Sequence, residues 1–278
     1  MVTLQDYGEY EAAWCPGCGN FLLLKAVKQA LVAAGLLPDR ALFVSGIGQA
    51  AKAPHYLNAN LFNGLHGRAL PAATGAKLSN PELTVIVESG DGCMYGEGGN
   101  HFLAAIRRNV DLTVLTHNNQ VYALTKGQAS PTSDQGYVTK AQPEGVTGAS
   151  FNAVAVATTM HANFVARGFV GLTDHLAKLI QEAIAHPGFA LVEILQNCPT
   201  FNHVNTFAWY KQRVKELPPD YDPENWELAM KTAQEWGERI PIGIISRNRR
   251  PPYLQGRAPL VGQPVDRAAL REIMESLA

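Results

Sequence analysis

Two apolar, β-branched runs, Leu83-Thr84-Val85-Ile86-Val87 and Val110-Asp111-Leu112-Thr113-Val114-Leu115, each lead into a polar turn, with helical spacing between them. The first run precedes Gly90-Asp91-Gly92 and the second precedes Asn118-Asn119, while Gly98 to Asn109 carries Phe102, Leu103 and Ile106 on a helical period. A strand, a crossover helix and a second strand of this kind form a parallel pair. Asp91 and the asparagines then emerge on one edge of the sheet, the carboxyl edge, where open α/β sheets bind ligands.

The residue types at that edge have a specific chemistry. A carboxylate and an amide oxygen are hard ligands suited to Mg²⁺ or Ca²⁺, and Mg²⁺ favours one or two protein carboxylates together with phosphate oxygens and water. Glycines flanking the Asp let backbone amides approach a diphosphate with no Cβ in the way. Gly-Asp-Gly alone is ordinary turn chemistry, but the paired asparagines and a strand end at both positions point to a site. The arrangement resembles the thiamine diphosphate (TPP) motif of TPP enzymes. That resemblance implies that Asp91, Asn119 and the backbone carbonyl of Val121 bind Mg²⁺, with Gly90 and Gly92 against the diphosphate.

At 278 residues the chain can bury a substantial core. Its net charge of −1 gives no sequence-wide attraction to nucleic acid or membrane. The amino terminus lacks a basic patch followed by an apolar stretch, and no apolar run approaches the roughly 20 residues needed to span a bilayer, so a cytoplasmic protein is expected. Four cysteines in such a chain argue against a disulfide framework and for metal or redox use.

Along the chain, residues 21–34 read as a helix, and Ala41-Leu42-Phe43-Val44 as a strand entering the Gly46-Ile47-Gly48 loop. Beyond the central unit, residues 151–166 read as a helix, Phe169-Val170-Gly171-Leu172 as a short strand, residues 174–186 as a helix stopped by Pro187-Gly188, and Phe189 to Leu195 as a strand. The repeated βα pattern predicts an α/β fold: a doubly wound, mostly parallel sheet covered by helices on both faces. Residues 1–200 form the domain with the diphosphate site. Residues 201–278, aromatic and proline-rich, read as a C-terminal extension suited to subunit docking, with a helix over 223–239 and an extended, exposed arm at Arg247-Asn248-Arg249-Arg250.

Cys15-Pro16-Gly17-Cys18 presents two thiolates at a spacing that lets both reach one soft metal centre. Cys198 lies just past the last predicted strand, on the same sheet edge as Asp91, and can join them in space. Cys93, directly after the glycine pair, reads as a packing residue.

Taken together, Trp14 to Gly19, Ser45-Gly46-Ile47-Gly48, Gly64-Leu65-His66-Gly67-Arg68, Gly90-Asp91-Gly92 through Arg107-Arg108-Asn109, Thr125-Lys126-Gly127-Gln128 with Ser130-Pro131-Thr132, and Cys198-Pro199-Thr200 resemble the β subunit of the 2-oxoacid:ferredoxin oxidoreductases. The resemblance extends over residues 10 to about 210. It implies a TPP-binding fold and a 4Fe-4S cluster on Cys15, Cys18 and Cys198. It also implies an α subunit partner and the conversion of a 2-oxoacid (2-oxoglutarate or pyruvate type), coenzyme A and oxidised ferredoxin into acyl-CoA, carbon dioxide and reduced ferredoxin. One position departs from the pattern. The family's third cluster cysteine follows the Ser-Gly-Ile-Gly stretch, where this chain has Gln49, leaving a cluster with a non-cysteine fourth ligand, a three-iron cluster, or none. A zinc ion on the three cysteines is a competing reading.

Among the remaining polar residues, Gly48, Gln49, the His66-Gly67-Arg68 segment and Thr125 are expected along the diphosphate side of the cofactor, with His66 read equally well as a satisfied core or loop histidine. TPP enzymes also need a glutamate at the aminopyrimidine ring. Glu88 and Glu97 both read as structural, and the resemblance implies that the glutamate and the pyrimidine pocket come from the α subunit. Lys52 and Lys126 stand near site loops, and Lys52 is a candidate partner for a substrate carboxylate, against the plainer reading of a solvated lysine. Two rivals remain: a non-oxidative TPP-dependent decarboxylase subunit with no cluster, and a non-catalytic scaffold.

Overall fold

In a computed structural model, which describes residues 1–253 and, beyond them, residues 268, 271, 275 and 276, the apolar runs assemble into one eight-stranded sheet. In chain order the strands are β1 (Ala41–Ser45), β2 (Asn60–Asn63), β3 (Thr84–Gly90), β4 (Leu112–Asn118), β5 (Val121–Tyr122), β6 (Gln128–Ala129), β7 (Phe164–Phe169), β8 (Phe189–Leu195), β9 (Val214–Glu216) and β10 (Ile240–Arg247). The large sheet runs β2-β1-β3-β4-β8-β7-β10-β9, and β5 and β6 form a separate antiparallel hairpin. Every pairing from β2 to β7 is parallel; β10 joins β7 antiparallel and carries β9 parallel to itself.

The helices are α1 (Asn20–Ala33), α2 (Ala69–Ser79), α3 (Gly99–Arg108), α4 (Ala153–Thr159), α5 (Thr173–Ala185), α6 (Phe207–Arg213) and α7 (Trp226–Gln234). Side chains alternate across each strand, so the sheet has two buried faces. Phe43, Ile86, Leu115 and Val192 pack with Leu23, Val27 and Leu31 of α1 and Leu176 and Ile180 of α5. Val44, Val85, Val87, Val114 and Leu191 pack on the other side with Leu70 of α2, Phe102 and Ile106 of α3, and Val154 of α4. The doubly wound α/β fold is as expected.

Three local expectations are corrected. The helix expected over 151–166 ends at Thr159, because His161 takes a left-handed φ of 53° and the Ala162 N–H turns back to the Ala157 carbonyl. The next element is β7, beginning at Phe164. It is buried on both faces, and its run of apolar residues therefore carries no strand alternation to separate it from the helix before it. The expected strand at 169–172 retains only Phe169. The helix expected over 223–239 is confined to Trp226–Gln234, and the chain beyond it becomes β10.

The basic segment 247–250 is not an exposed arm. Arg247 ends β10 and bonds Glu182 at 2.7 Å, the Asn248 N–H donates to the Asn163 carbonyl, and Arg250 Nη2 donates to the Ile106 carbonyl at the end of α3. Only Arg249 is exposed, and it pairs with Glu224. The last carbonyls of α3 need donors, and Arg250 satisfies one of them. Of the extension from residue 201, the described part thus adds β9 and β10 to the sheet, while 254–267 lie outside the described residues.

Candidate cofactor site

The carboxyl ends of β1, β3 and β4 open into a cleft. Gly48, Gln49, His66, Gly90, Asp91, Gly92, Asn119, Val121 and Thr125 all line it, together with Cys93 and His117. They arrive from several loops that meet at one sheet edge. Asp91 follows β3 directly, where the chain enters a wide π-type turn, Gly92–Glu97, before α3; the expected helix start at Gly98 holds to within a residue. Gly92 has no room for a side chain, since a Cβ there would stand 2.3 Å from Cε1 of the Tyr122 ring. Gly48 has a φ of 126° and open space where a Cβ would stand. Lys52, in a 3₁₀ turn over Ala50–Tyr56, is half-buried and does not line the cleft, and Lys126 is exposed on the hairpin loop.

Asp91 is 2 % exposed. Its Oδ2 accepts the hydroxyls of Ser130 and Thr132, each at 2.5 Å, and no described side chain bonds Oδ1. Burial pushes this carboxyl up to about 6, against the opposing pull of those two hydroxyls and the Gly92 N–H. Asn119 Oδ1 takes the Val121 N–H at 3.1 Å, forming a tight turn that keeps Val121 at the cleft. A carboxylate oxygen without a side-chain partner, an amide oxygen and a backbone carbonyl are a hard-oxygen set that suits Mg²⁺, which completes its shell with phosphate and water. The residues fit the ion.

At the cleft mouth His66 Nδ1 lies 2.9 Å from Glu97 Oε2 but out of line for a hydrogen bond, and Tyr122 Oη donates to the Gly92 carbonyl at 3.2 Å. Cys93 is buried, and its Sγ accepts the N–H of Gly67 at 3.1 Å and that of Ile47 at 3.4 Å, so it ties two site loops together as well as packing. Glu88 lies fully buried within β3, its Oε1 3.7 Å from His117 Nε2. Among the described residues lining the cleft, Asp91 is the only carboxylate.

The cysteine turn docks beside this cleft. Gly17 takes a φ of 78°, and a Cβ on Gly19 would stand 2.7 Å from Gln196 Cβ, so glycine lets the turn press against the chain leaving β8. Asn197 Nδ2 donates to the Gly17 carbonyl at 3.0 Å, and Trp14 Nε1 donates to the Gln49 carbonyl at 2.9 Å. Cys15, Cys18 and Cys198 are thereby within electrostatic reach of one another, and burial foremost pushes Cys18 up to about 11 and raises Cys198. Among the described residues no three His, Cys, Asp or Glu side chains converge on the position of a single ion. A zinc ion would need three thiolates at bonds of about 2.3 Å. Gln49 Oε1 is buried without a partner.

Ser130 and Thr132 were not singled out by sequence as partners of Asp91, though both sit in the Ser-Pro-Thr segment. Nothing local signals the contact, because it is made between loops 39 and 41 residues apart. Arg167 and Glu193, a buried pair at 3.0 Å behind the cleft, were likewise unmarked.

Comparison with known proteins bears on the fold and the family. Residues 44–194 match the family profile for the thiamine pyrophosphate enzyme C-terminal TPP-binding domain, and residues 198–260 match that for the carboxy-terminal part of the pyruvate ferredoxin oxidoreductase β subunit. A 2-oxoacid:ferredoxin oxidoreductase β subunit from Sulfolobus sp is 46 % identical over 88 % of this chain and 84 % of its own length. The 2-oxoglutarate oxidoreductase subunit KorB of Mycobacterium tuberculosis is 42 % identical over 75 % of this chain and 56 % of its own. Among solved structures, a 2-oxoglutarate:ferredoxin oxidoreductase from Magnetococcus marinus with 2-oxoglutarate, coenzyme A and succinyl-CoA bound superposes with a TM-score of 0.89 at 34 % identity, covering 99 % of this chain and 91 % of that one.

Proposed function

Because the chain belongs to the β subunits of the 2-oxoacid:ferredoxin oxidoreductases, we propose that its cleft is the diphosphate half of a shared active site for oxidative decarboxylation of a 2-oxoacid to acyl-CoA. Asp91, Asn119 and the Val121 carbonyl hold Mg²⁺; Gly90, Gly92 and Gly48 give the backbone access to the diphosphate; Gln49, His66 and Thr125 offer polar contacts along it. The cleft is closed by the α subunit, which brings the activating glutamate, since the described residues lining the cleft include none. Cys15, Cys18 and Cys198 hold an iron–sulfur cluster of the 4Fe-4S type, with Gln49 at the side where a fourth thiolate is missing. When bound, thiamine diphosphate would supply a carbanion for the 2-keto carbon and a sink for the electron pair of the lost carboxylate, and a cluster would supply one-electron transfer to ferredoxin.

The observation that carries this reading is the meeting of two donor sets at one sheet edge: hard oxygens at Asp91 and Asn119, and three thiols joined to them by the contact of Trp14 with Gln49. A decarboxylase without electron transfer has no use for the thiols, and the match of residues 198–260 to an oxidoreductase β subunit favours the redox reading over it. The partners are the α subunit, ferredoxin, the 2-oxoacid and coenzyme A. No nucleic-acid or membrane partner is proposed. No described helix is long and apolar enough to cross a membrane, and the working compartment is the cytoplasm.

The test is anaerobic co-purification with the α subunit, followed by iron, sulfide and thiamine analysis and by ferredoxin reduction with 2-oxoglutarate or pyruvate. The proposal expects all three components and reduction that requires both the 2-oxoacid and coenzyme A. Aldehyde release with no ferredoxin reduction would overturn it.

A further inference from the structure

Beside the cleft lies a second pocket, lined by Asn118, Thr132, Arg167 and Glu193 among others. A continuous polar chain runs from this cavity to Asp91 in the cleft. Arg167, 1 % exposed, donates from Nε to Glu193 Oε2 at 3.0 Å, and its remaining amines reach the Pro241 and Ala233 carbonyls at 3.4 Å. Glu193 Oε1 accepts Asn118 Nδ2 at 3.2 Å. Asn118 Oδ1 faces Thr132 Oγ1 at 2.9 Å, and Thr132 Oγ1 faces Asp91 Oδ2 at 2.5 Å.

The direction of each bond follows from counting protons. Glu193, as a carboxylate, can only accept, which fixes the Asn118 amide with its NH₂ toward Glu193 and its oxygen toward Thr132. The Thr132 hydroxyl has one proton and three oxygens within reach: Asp91 Oδ2, Asn118 Oδ1 and, at 3.1 Å, Ser130 Oγ. The Asp91 carboxylate oxygen is the strongest of these acceptors and takes the larger share of that proton, while Asn118 Oδ1, which also receives the Gln120 N–H at 3.2 Å, holds the lesser arm of a three-centre bond. With Ser130 donating to the same oxygen, Oδ2 is saturated from the protein side. A buried Arg–Glu pair returns little net stability, because desolvation offsets the attraction. Its consequence here is positional.

Resting on the reading that Asp91 holds the cation, we propose that Glu193, clamped by Arg167, is a positioning residue for the metal site: acting through Asn118 and Thr132, it holds Oδ2 of Asp91 against the protein and leaves Oδ1 to the ion. Neither Glu193 nor Arg167 lines the cleft.

The experiment uses the complete, anaerobically purified complex and reads two quantities, the Mg²⁺ concentration for half-maximal TPP binding and kcat at saturating Mg²⁺. Thr132→Val, close to isosteric but without the hydroxyl, is expected to raise the Mg²⁺ requirement about tenfold or more while kcat at saturation changes by less than about twofold, and Thr132→Ser to restore it. Glu193→Gln is expected to raise the requirement too, and the double variant to exceed Thr132→Val alone by no more than about twofold, since both act through one chain of contacts. If Glu193→Gln does not fold, Asn118→Ala probes the same link without altering a buried charge. An unchanged Mg²⁺ requirement in Thr132→Val, or effects that multiply in the double variant, would overturn the inference. A wild-type complex that binds TPP without regard to Mg²⁺ would instead overturn the assignment of Asp91 on which it rests.

Discussion

Trp14 donates its indole N–H to the backbone carbonyl of Gln49 at 2.9 Å, so the residue before the first cysteine is fastened to the loop that lines the cofactor cleft. The indole also meets Tyr56 and Phe21 edge-on, at 4.8 and 5.4 Å between ring centroids. Trp14→Phe preserves an aromatic ring but removes the donor. It is expected to cost about 1 kcal/mol of stability and to reduce iron retention, read from the urea midpoint and from iron per chain after gel filtration. Unaltered iron content would separate the two sites that this bond joins.

Gly92 abuts the ring of Tyr122 with no space for a methyl group. Gly92→Ala must displace Tyr122, whose hydroxyl bonds the Gly92 carbonyl. Overpacking of this kind costs about 1–3 kcal/mol, and because the displaced ring lines the cleft, TPP affinity falls together with stability. Calorimetric melting with and without TPP and Mg²⁺ checks both. Recovery of TPP affinity in Gly92→Ala combined with Tyr122→Ala would identify the ring as the cause.

Burial lifts Asp91 from 3.8 to about 6 in the cation-free protein. Over that interval the native state holds a proton that the unfolded chain has released. The stability this group contributes is therefore complete below about pH 4 and is lost as pH rises through about 6, roughly 3 kcal/mol in all. Mg²⁺ requires the carboxylate, so its affinity should run the opposite way, rising through the same window and levelling above it. Asp91→Asn is expected to make the cation-free protein more stable than wild type at about pH 8 and to abolish the Mg²⁺ dependence of TPP binding. Urea unfolding in EDTA at acid and alkaline pH tests the first half, and TPP titration tests the second.

Cys198 is held just past the end of β8 while Cys15 and Cys18 come from the amino-terminal turn. Cys198→Ser should remove iron and sulfide yet leave Mg²⁺-dependent TPP retention intact, since the oxygen donors lie on other loops. Gln49→Cys adds a fourth thiolate and should raise iron per chain and slow the bleaching of the cluster in air. Equal iron content in wild type and Gln49→Cys would mean that residue 49 does not face the cluster.

Lys52 belongs to a 3₁₀ turn outside the cleft lining. Lys52→Met is accordingly expected to leave the ratio of turnover with 2-oxoglutarate to that with pyruvate unchanged. A shift in the ratio would show that the lysine reaches the substrate in the assembled enzyme.

The parts of this structure that could be read from residues alone are those carried by short-range periodicity. The strand before Asp91 and the strand before Asn119 are uniform buried runs ending in polar turns, and their meeting at one sheet edge follows from crossover topology. β7 was concealed because Phe164 to Phe169 is buried on both faces and follows a helix of similar composition. β10 was concealed by Pro241 and Gly243, which read as loop in isolation; in the structure Gly243 has a φ of 135° beside Leu217. The Asp91 contacts with Ser130 and Thr132, and the buried pair Arg167 and Glu193, depend on loop closure and strand order. No local pattern encodes either, and a buried ion pair looks in sequence like two ordinary surface charges.

The central claim is that Asp91 anchors a divalent cation on which thiamine diphosphate depends. Calorimetric titration of TPP into the anaerobically purified complex, with Mg²⁺ or with EDTA, for wild type and Asp91→Ala, tests it most directly. The expected result is one TPP bound for each copy of this chain, binding lost in EDTA, and binding lost in Asp91→Ala even at high Mg²⁺. TPP bound equally well by the variant, or by wild type in EDTA, would contradict it.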